Sequence, residues 1–570
     1  MLLCGMAGTA AAIVALDHQS DDDVTGLCAK VAMTSALGMP LFFSLRMLRE
    51  RAQSLARAPI EAVGLPLLAG WFLTLPHRPF EGPGIVPIRW MLLLAALHFF
   101  AAVSPFARGR EGIGFWQFNR RIFLRFCLST LYAGVLTAGL ELALLSADKL
   151  FELKLGNSYT DLFFIMAGCF HPVFFLAGVP RDFTALELDR EHPRGLKAFT
   201  QFALAPLVAV YTAILYAYAF KIVAAHSWPH GWVALPVLIL SGVGILSALL
   251  LHPLRADAQQ KWAGWFCRNF PRALAPLSLL LLLSVWERIR TYGVTEERYL
   301  GIVAGGWVLA WATVFILKKT AGIRWVPGSL ALICLLAAFG PLSAGTISKN
   351  SQLGRLTRLL QAHGLMADGK ATAPREVTTL PREEYDDMRS TIQYLMEMHG
   401  AEAIRGLFGG LFNEADWKYL SQWKSGDQIL KKLNLAGGSV AEGSTWYSLD
   451  SNKVATAEGF KRVSYLQFSF GAPSPWKTAR KQAGSLFIGV VDGILKTADT
   501  PDAPPQPVPL DAFLKSLSDN VENTLPQERM TADWEHNGHA FRFLFANIYL
   551  NRKPGEPDGI SSCTFLLLEK

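Results

Sequence analysis

The sequence predicts an α-helical polytopic membrane bundle of ten or eleven transmembrane helices, followed by an α+β extramembrane domain. Three observations predict it. Charged residues are 18% of the 570, against about a quarter in soluble chains. Of the Asp, Glu, Lys and Arg, roughly half lie after residue 345, so the first 345 residues are poorer still. Beyond residue 436 the helical period gives way to short runs of strand-forming residues. The boundaries read as 1–345 for the bundle, 346–435 for a helical extramembrane region and 436–570 for a β-rich part. This composition excludes a disordered chain, a coiled coil and a plain cytosolic enzyme of several domains.

Eleven apolar stretches are candidates for spans: 2–16, 27–45, 60–76, 88–106, 123–147, 161–179, 201–225, 232–252, 273–287, 299–317 and 325–345. The first, LLCGMAGTAAAIVAL, is the weakest: it is short and begins at the initiator methionine. It lacks the basic flank and small-residue cleavage site of a signal peptide. The loops between stretches alternate in charge. Basic loops follow the even-numbered stretches: Arg46, Arg49, Arg51 and Arg57; Arg108, Arg110, Arg120 and Arg121; Arg181, Arg190, Arg194 and Lys197; Arg255, Lys261, Arg268 and Arg272; Lys318, Lys319 and Arg324. The even loops hold roughly 20 basic residues against about 7 in the odd ones, the bias of cytoplasmic loops. This predicts even loops inside the cell, residues 346–570 outside, and a bacterial inner-membrane location. The formal net charge of +8 is then a topology signal, because residues 346–570 are near neutral and carry no basic stripe. No nucleic-acid partner is expected.

Trp71, Trp90, Trp228, Trp232, Trp286, Tyr292, Tyr299 and Trp325 lie near predicted segment ends, where amphipathic rings settle at headgroup level. Pro66, Pro172, Pro206, Pro236 and Pro276 stand in or at the start of segments. The string LAPL at 204–207 returns at 274–277, a short echo of a repeat. Six of the seven cysteines fall in or beside apolar stretches and none forms a CxxC or Cys/His cluster, so no zinc site or redox pair is indicated.

Several strings occur together: FWQFNRRIF at 115–123, ELALLSADKLF ending the next stretch, FFLAGVP at 174–180, RIRTYGVTEERYLGI at 288–302 and GPLSAGTISKNSQLGRLTRLLQAHGLMADGK at 340–370. As a set they resemble the bacterial polytopic membrane family catalogued as domain of unknown function 4153. The resemblance implies an envelope protein with many spans and an extramembrane tail, and it implies no reaction. Read physically, FWQFNRR sets aromatic rings and arginines at the cytoplasmic interface as an anchor. Thr295, before Glu296 and Glu297, reads as a helix cap with a charged first turn. ISKNSQLGRLTRLLQAHG reads as a helix leaving the membrane with Leu353, Leu356, Leu359 and Leu360 on one face.

Ionisable groups within spans are the candidate functional residues. His98 and His171 lie near the middle of their stretches, each readable as a neutral imidazole bonded to a carbonyl or as a proton relay. Glu141 and Lys221 lie at similar depth toward the outside ends of theirs. They can pair, or Lys221 can snorkel to headgroups while Glu141 faces water or a serine.

In the outside domain, PREEYDDMRSTIQYLMEMHG at 381–400, AEAIRGLFGGLF and DQILKKLNL read as helices. STWYSLD, FKRVSYLQFSF, SLFIGVVDGIL, HAFRFLFANIYL and SSCTFLLLEK read as strands, and PDAPPQPVP as a loop. HNGH at 536–539 reads as a hairpin turn whose two histidines fall short of a metal site. Glu383, Glu384, Asp386 and Asp387 read as a charged first helix turn, and His363 and His399 as helix-ending residues beside glycine. No catalytic residue, cofactor or metal is expected. The expected role is non-enzymatic sensing, binding or scaffolding in the envelope. The lipid bilayer is one partner, and an envelope protein or small solute another. A transporter or channel using the bundle interior is the alternative, and an enzyme on lipid-linked or envelope substrates a second.

Overall fold

A long apolar stretch in lipid must bond its own backbone, and helix formation does so. Each of the eleven stretches carries a helix in the computed structural model. The structure describes residues 1–17, 21–51, 60–107, 112–153, 155–225, 234–318, 322–414, 416–417, 420, 426–437, 443–449, 462–469, 480–483, 486–491, 494–500, 503–518, 524–552 and 559–569. Arg57, Arg108, Arg110, Lys319, Trp228, Trp232 and the loop 226–231 lie outside the described residues.

Among the described residues, seven helices are long and apolar enough to cross a membrane: Asp22–Glu50, Ile85–Phe106, Ile113–Phe151, Ser158–Ala177, Arg194–Ile222, Lys261–Tyr292 and Glu296–Leu317. Four apolar helices are shorter: Leu2–Asp17, Ile60–Thr74, Ala234–Leu250 and Trp325–Ala338. The chain divides into two compact units. One is Met1–Ala371 with Thr391–Ser425, the other Thr372–Ser390 with Gly426–Lys570. Most of the helical region 346–435 thus belongs with the bundle.

In the first unit, α1 (Leu2–Asp17) packs along α2 (Asp22–Arg51) and against α6 (Ser158–Ile165). The crossing is close because both sides are small. A Cβ on Gly5 would stand 2.1 Å from the Gly168 carbonyl oxygen. The first apolar stretch is therefore a packed helix of this unit. Thr9 Oγ1 donates to the Phe164 carbonyl (3.2 Å), and Asn157 Nδ2 to that of Leu16 (3.2 Å). Then come α3 (Gly64–Thr74), α4 (Ile85–Val103), α5 (Ile113–Phe151), α7 (His171–Ala177), α8 (Phe183–Leu188), α9 (Arg194–Phe199), α10 (Ala205–Ala225), α11 (Ala234–Leu250), α12 (Lys261–Tyr292), α13 (Glu296–Leu317), α14 (Trp325–Ala338) and α15 (Ala344–Ala362).

Two π-turns, Met166–Phe170 and Thr200–Leu204, interrupt this helical path. Pro172 follows the first and Pro206 the second. A proline removes an amide and crowds the carbonyl four residues back, at Gly168 and Phe202, and the wider turn relieves both. The central core joins α10 to α13 around Leu274, Leu277, Leu281 and Trp311. Phe270 lies so close on Gly244 that a Cβ there would meet its ring at 1.9 Å.

The second unit holds α+β structure. It includes the first turns of α16 (Arg382–His399), α18 (Gly426–Lys432), which follows α17 (Glu402–Phe408) of the first unit, and α19 (Asp511–Ser518). After the short pairs β1–β2 of the first unit (Met366–Ala367, Lys370–Ala371) and β3–β4 (Thr378–Leu380, Leu435–Gly437), a six-stranded sheet runs β11-β5-β13-β14-β6 (Thr524–Leu525, Gly443–Leu449, His539–Arg552, Gly559–Glu569, Arg462–Ser469), with β12 (Thr531–His536) also on β13. Its pairs are antiparallel except β11–β5. A four-stranded antiparallel sheet runs β10-β9-β8-β7 (Gln506–Pro507, Ile494–Ala498, Leu486–Val491, Arg480–Ala483). Both sheets and α19 share one core around Phe543, Phe545, Phe565, Ile488 and Leu517. SLFIGVVDGIL, expected as one strand, divides into β8 and β9, which pair with each other. The alternation of β12 and the helix α19 were not legible as elements.

Candidate functional site

The intramembrane candidates do not form one cluster. His98 is exposed on α4, its Nδ1 2.7 Å from the Leu94 carbonyl oxygen. Lys221 is exposed on α10. Among the described residues no ion pair joins it to Glu141. Instead Glu141 and His171 line one groove of about 490 Å³ between α5 and the α6–α7 segment. Thr130, Gly134, Thr137 and Glu141 form its α5 wall at helical spacing, and Phe163, Met166, Ala167 and His171 the other. His171 Nε2 is 3.3 Å from Thr130 Oγ1, and its ring meets Phe126 edge-on. Glu141 lies further along α5 by about 16 Å, so the two ionisable groups stand at opposite ends of the groove.

A second polar site was not singled out in the sequence. It forms where the start of α13, the start of α15 and the end of α16 meet, all within the first unit. Glu296 is buried, its side chain 3% exposed, and so is His399 at 5%. Glu296 Oε1 accepts from Ser348 Oγ at 2.5 Å and lies 3.2 Å from His399 Nε2. Oε2 accepts from the Tyr394 hydroxyl at 2.5 Å. Ser348 Oγ is also 3.4 Å from His399 Nε2. Burial first, and then the Glu296 carboxylate, raise the Tyr394 phenol above its usual value. The protein thus surrounds a desolvated carboxylate on α13 with side chains from α15 and α16, as a buried charge requires.

The surrounding backbone is tied in the same way. Gln352 Nε2 donates to the Tyr292 and Val294 carbonyls (3.0 and 3.1 Å), and Arg355 Nη1 to Tyr292 (2.8 Å). Ser351 Oγ accepts from the Val294 amide at 2.9 Å. The Gly84 amide donates to the Glu397 carbonyl at 2.9 Å, joining α4 to the end of α16.

Three expectations are corrected here. Thr295 holds the N-cap position of α13, but its side chain makes no capping bond. His399 does not simply end a helix beside Gly400; its ring turns inward to the carboxylate. The buried stripe of α15 is Gly345, Ser348, Gln352, Leu356 and Leu360, so Leu353 and Leu359 stand off it. Polar residues lead the stripe because they face the Glu296 carboxylate and the 292–294 carbonyls.

FWQFNRR is also buried and is not an interface anchor. Phe115, Trp116 and Phe118 are 2%, 5% and 0% exposed. Trp116 Nε1 donates to the Leu249 carbonyl (2.8 Å), and Gln117 Nε2 to those of Asp189 and Glu191 (3.0 and 3.1 Å). Asp189 pairs with Arg121 at 2.8 Å and Arg120 at 3.5 Å. Burial opposes its ionisation, but the Glu191 amide and the two guanidiniums outweigh that and hold the carboxyl below its usual range. The motif ties α5 to residues 189–191 after α8 and to the end of α11.

In the second unit, Asn537 and Gly538 have positive φ (50° and 78°), the two-residue turn that joins β12 to β13. His536 Nε2 lies 3.1 Å from Asp499 Oδ1, and its ring stacks on Trp534. Among the described residues no group of three or more His, Cys, Asp or Glu is placed to hold a metal.

Comparison with known proteins gives one family and one relative. The family described as domain of unknown function (DUF4153) matches residues 4–366. An uncharacterized protein of Pasteurella multocida is 29% identical over 336 residues, covering 58% of this chain and 54% of that protein. The chain thus spans about half the length of the curated relative it matches. No solved structure matches.

Proposed function

From the premise that the chain belongs to the family of domain of unknown function 4153, we propose that this multi-pass membrane protein is a fixed anchor in the bacterial inner membrane. The role it serves there is non-enzymatic sensing, binding or scaffolding by an extracytoplasmic C-terminal region. The excess of basic residues in the even loops supports that orientation.

The observation that carries the reading is the Glu296 cluster. A carboxylate that takes an ion or a substrate directly needs an open coordination position, whereas this one is enclosed by Ser348, Tyr394 and His399. Such a group fastens α15 and the end of α16 to α13, which suits an anchor that holds the root of the tail in one geometry.

The Glu141–His171 groove favours a second reading, a small-solute carrier, because a π-turn and an ionisable side chain face one space. Complementation of a deletion strain separates the two. The anchor reading expects a chain with His98→Ala, Glu141→Gln, His171→Ala and Lys221→Ala to restore the strain, and one with Tyr394→Phe and His399→Ala to fail at equal membrane abundance. The reverse pattern contradicts it and favours the carrier.

A further inference from the structure

We propose that the groove between α2, α3, α4 and α14 seats one acyl chain of an anionic phospholipid, whose phosphate meets Arg89. The groove has a volume of about 700 Å³ and is lined by Leu37, Leu68, Trp71, Leu97, Leu335 and Phe339, among other apolar residues. It opens on the bundle surface, since Leu67, Leu332, Leu335 and Phe339 on its walls are exposed. Along α14 it runs from Gly328 to Phe339, about 16 Å, close to one leaflet of a hydrocarbon core about 30 Å thick. Its one hydroxyl among the lining residues, Thr74, is already bonded to the Trp71 carbonyl at 2.7 Å. The space fits hydrocarbon.

The end of the groove at Phe339 supplies the charge argument. Arg89, in the first turns of α4, lies over the Phe339 ring at 5.7 Å. Its Nε is buried with no hydrogen-bond partner, and the guanidinium has no carboxylate partner among the described residues. Trp71, 8% exposed, meets the other side of this arrangement with its ring edge-on to Phe339 at 6.4 Å. Its indole N–H also has no partner. A lipid phosphate and ester carbonyl are acceptors delivered with an acyl chain attached, and a guanidinium binds phosphate through paired donors. The same end of the bundle leads, through residues 340–343, into α15, so the lipid belongs to the leaflet on the tail side.

The test uses the full chain in vesicles of phosphatidylethanolamine doped with phosphatidylglycerol or phosphatidylcholine carrying a photoreactive diazirine in one acyl chain. After irradiation, labelled peptides are mapped by mass spectrometry. Gly70 lines the groove and a Cβ on it meets nothing within 4 Å, so Gly70→Phe and the smaller Gly70→Leu start side chains of two sizes from that open space. The wild type should label in 66–74, 93–100 and 328–339, about fivefold more with the phosphatidylglycerol probe. Either Gly70 variant should cut that labelling about fivefold while α5 and α10 label as before. Arg89→Gln should abolish the headgroup preference, and Arg89→Lys should restore part of it. Even labelling of all lipid-facing helices, or labelling unchanged by Gly70→Phe and Gly70→Leu, overturns the acyl seat. Equal labelling by the two probes in the wild type overturns the phosphate assignment.

Discussion

The Glu296 cluster and the α2–α4–α14 groove both hold polar groups away from water, and they treat them in opposite ways. At Glu296 each carboxylate oxygen has protein donors at 2.5 to 3.2 Å. At the groove, Trp71 Nε1 and Arg89 Nε are buried with none. A saturated buried network rigidifies the helices that share it. Beside the groove the Arg89 guanidinium, over the Phe339 ring and with no carboxylate partner among the described residues, is left to a ligand that brings its own acceptor. One place is built as a joint and the other as a receptor.

Substitution separates them. His399→Ala leaves the buried carboxylate short of a partner and should cost about 2–3 kcal/mol at the joint, read as a rise in amide exchange across α15. Tyr394→Phe deletes one donor and should cost about 1–3 kcal/mol by the same readout. In the groove, Gly70→Ala fills open space in a helix and should stabilise by up to about 1 kcal/mol, read as a higher unfolding temperature in detergent. Arg89→Gln should change lipid-free stability by less than about 0.5 kcal/mol; a cost matching that of His399→Ala would make it structural and erase the contrast.

Alkali offers a finer probe of the joint. The folded Tyr394 phenol holds its proton above the value of a free tyrosine, about 10. Its contribution is therefore complete below that pH and lost as pH rises through the folded value. Protection in α15, taken relative to the intrinsic exchange rate at each pH, should fall above about pH 10, and Tyr394→Phe should remove that fall.

Much of the bundle was legible because span formation is a local matter of apolar length. All eleven apolar stretches carry helices, including the short first one, whose Gly5 and Thr9 fit the α6–α7 segment. The joint was hidden because its bonds are not local. Glu296 meets Ser348 across 52 residues and Tyr394 across 98, and within its own helix it reads as an ordinary acidic first turn. One signal was present: Ser348 and Gln352 occupy the same stripe as Leu356 and Leu360, polar residues at buried phase. FWQFNRR misled for a related reason. Rings beside arginines suit both a lipid interface and a buried tie, and only the Leu249, Asp189 and Glu191 partners decide between them.

The anchor account rests most directly on the rigidity of that joint. Hydrogen exchange of the full chain in lipid nanodiscs measures it, followed at residues 344–362 and 391–399. The account predicts protection there comparable to α12 and α13, and its loss in the Tyr394→Phe, His399→Ala double variant. Rapid exchange of these residues in the wild type, or protection unchanged in the variant, would contradict it.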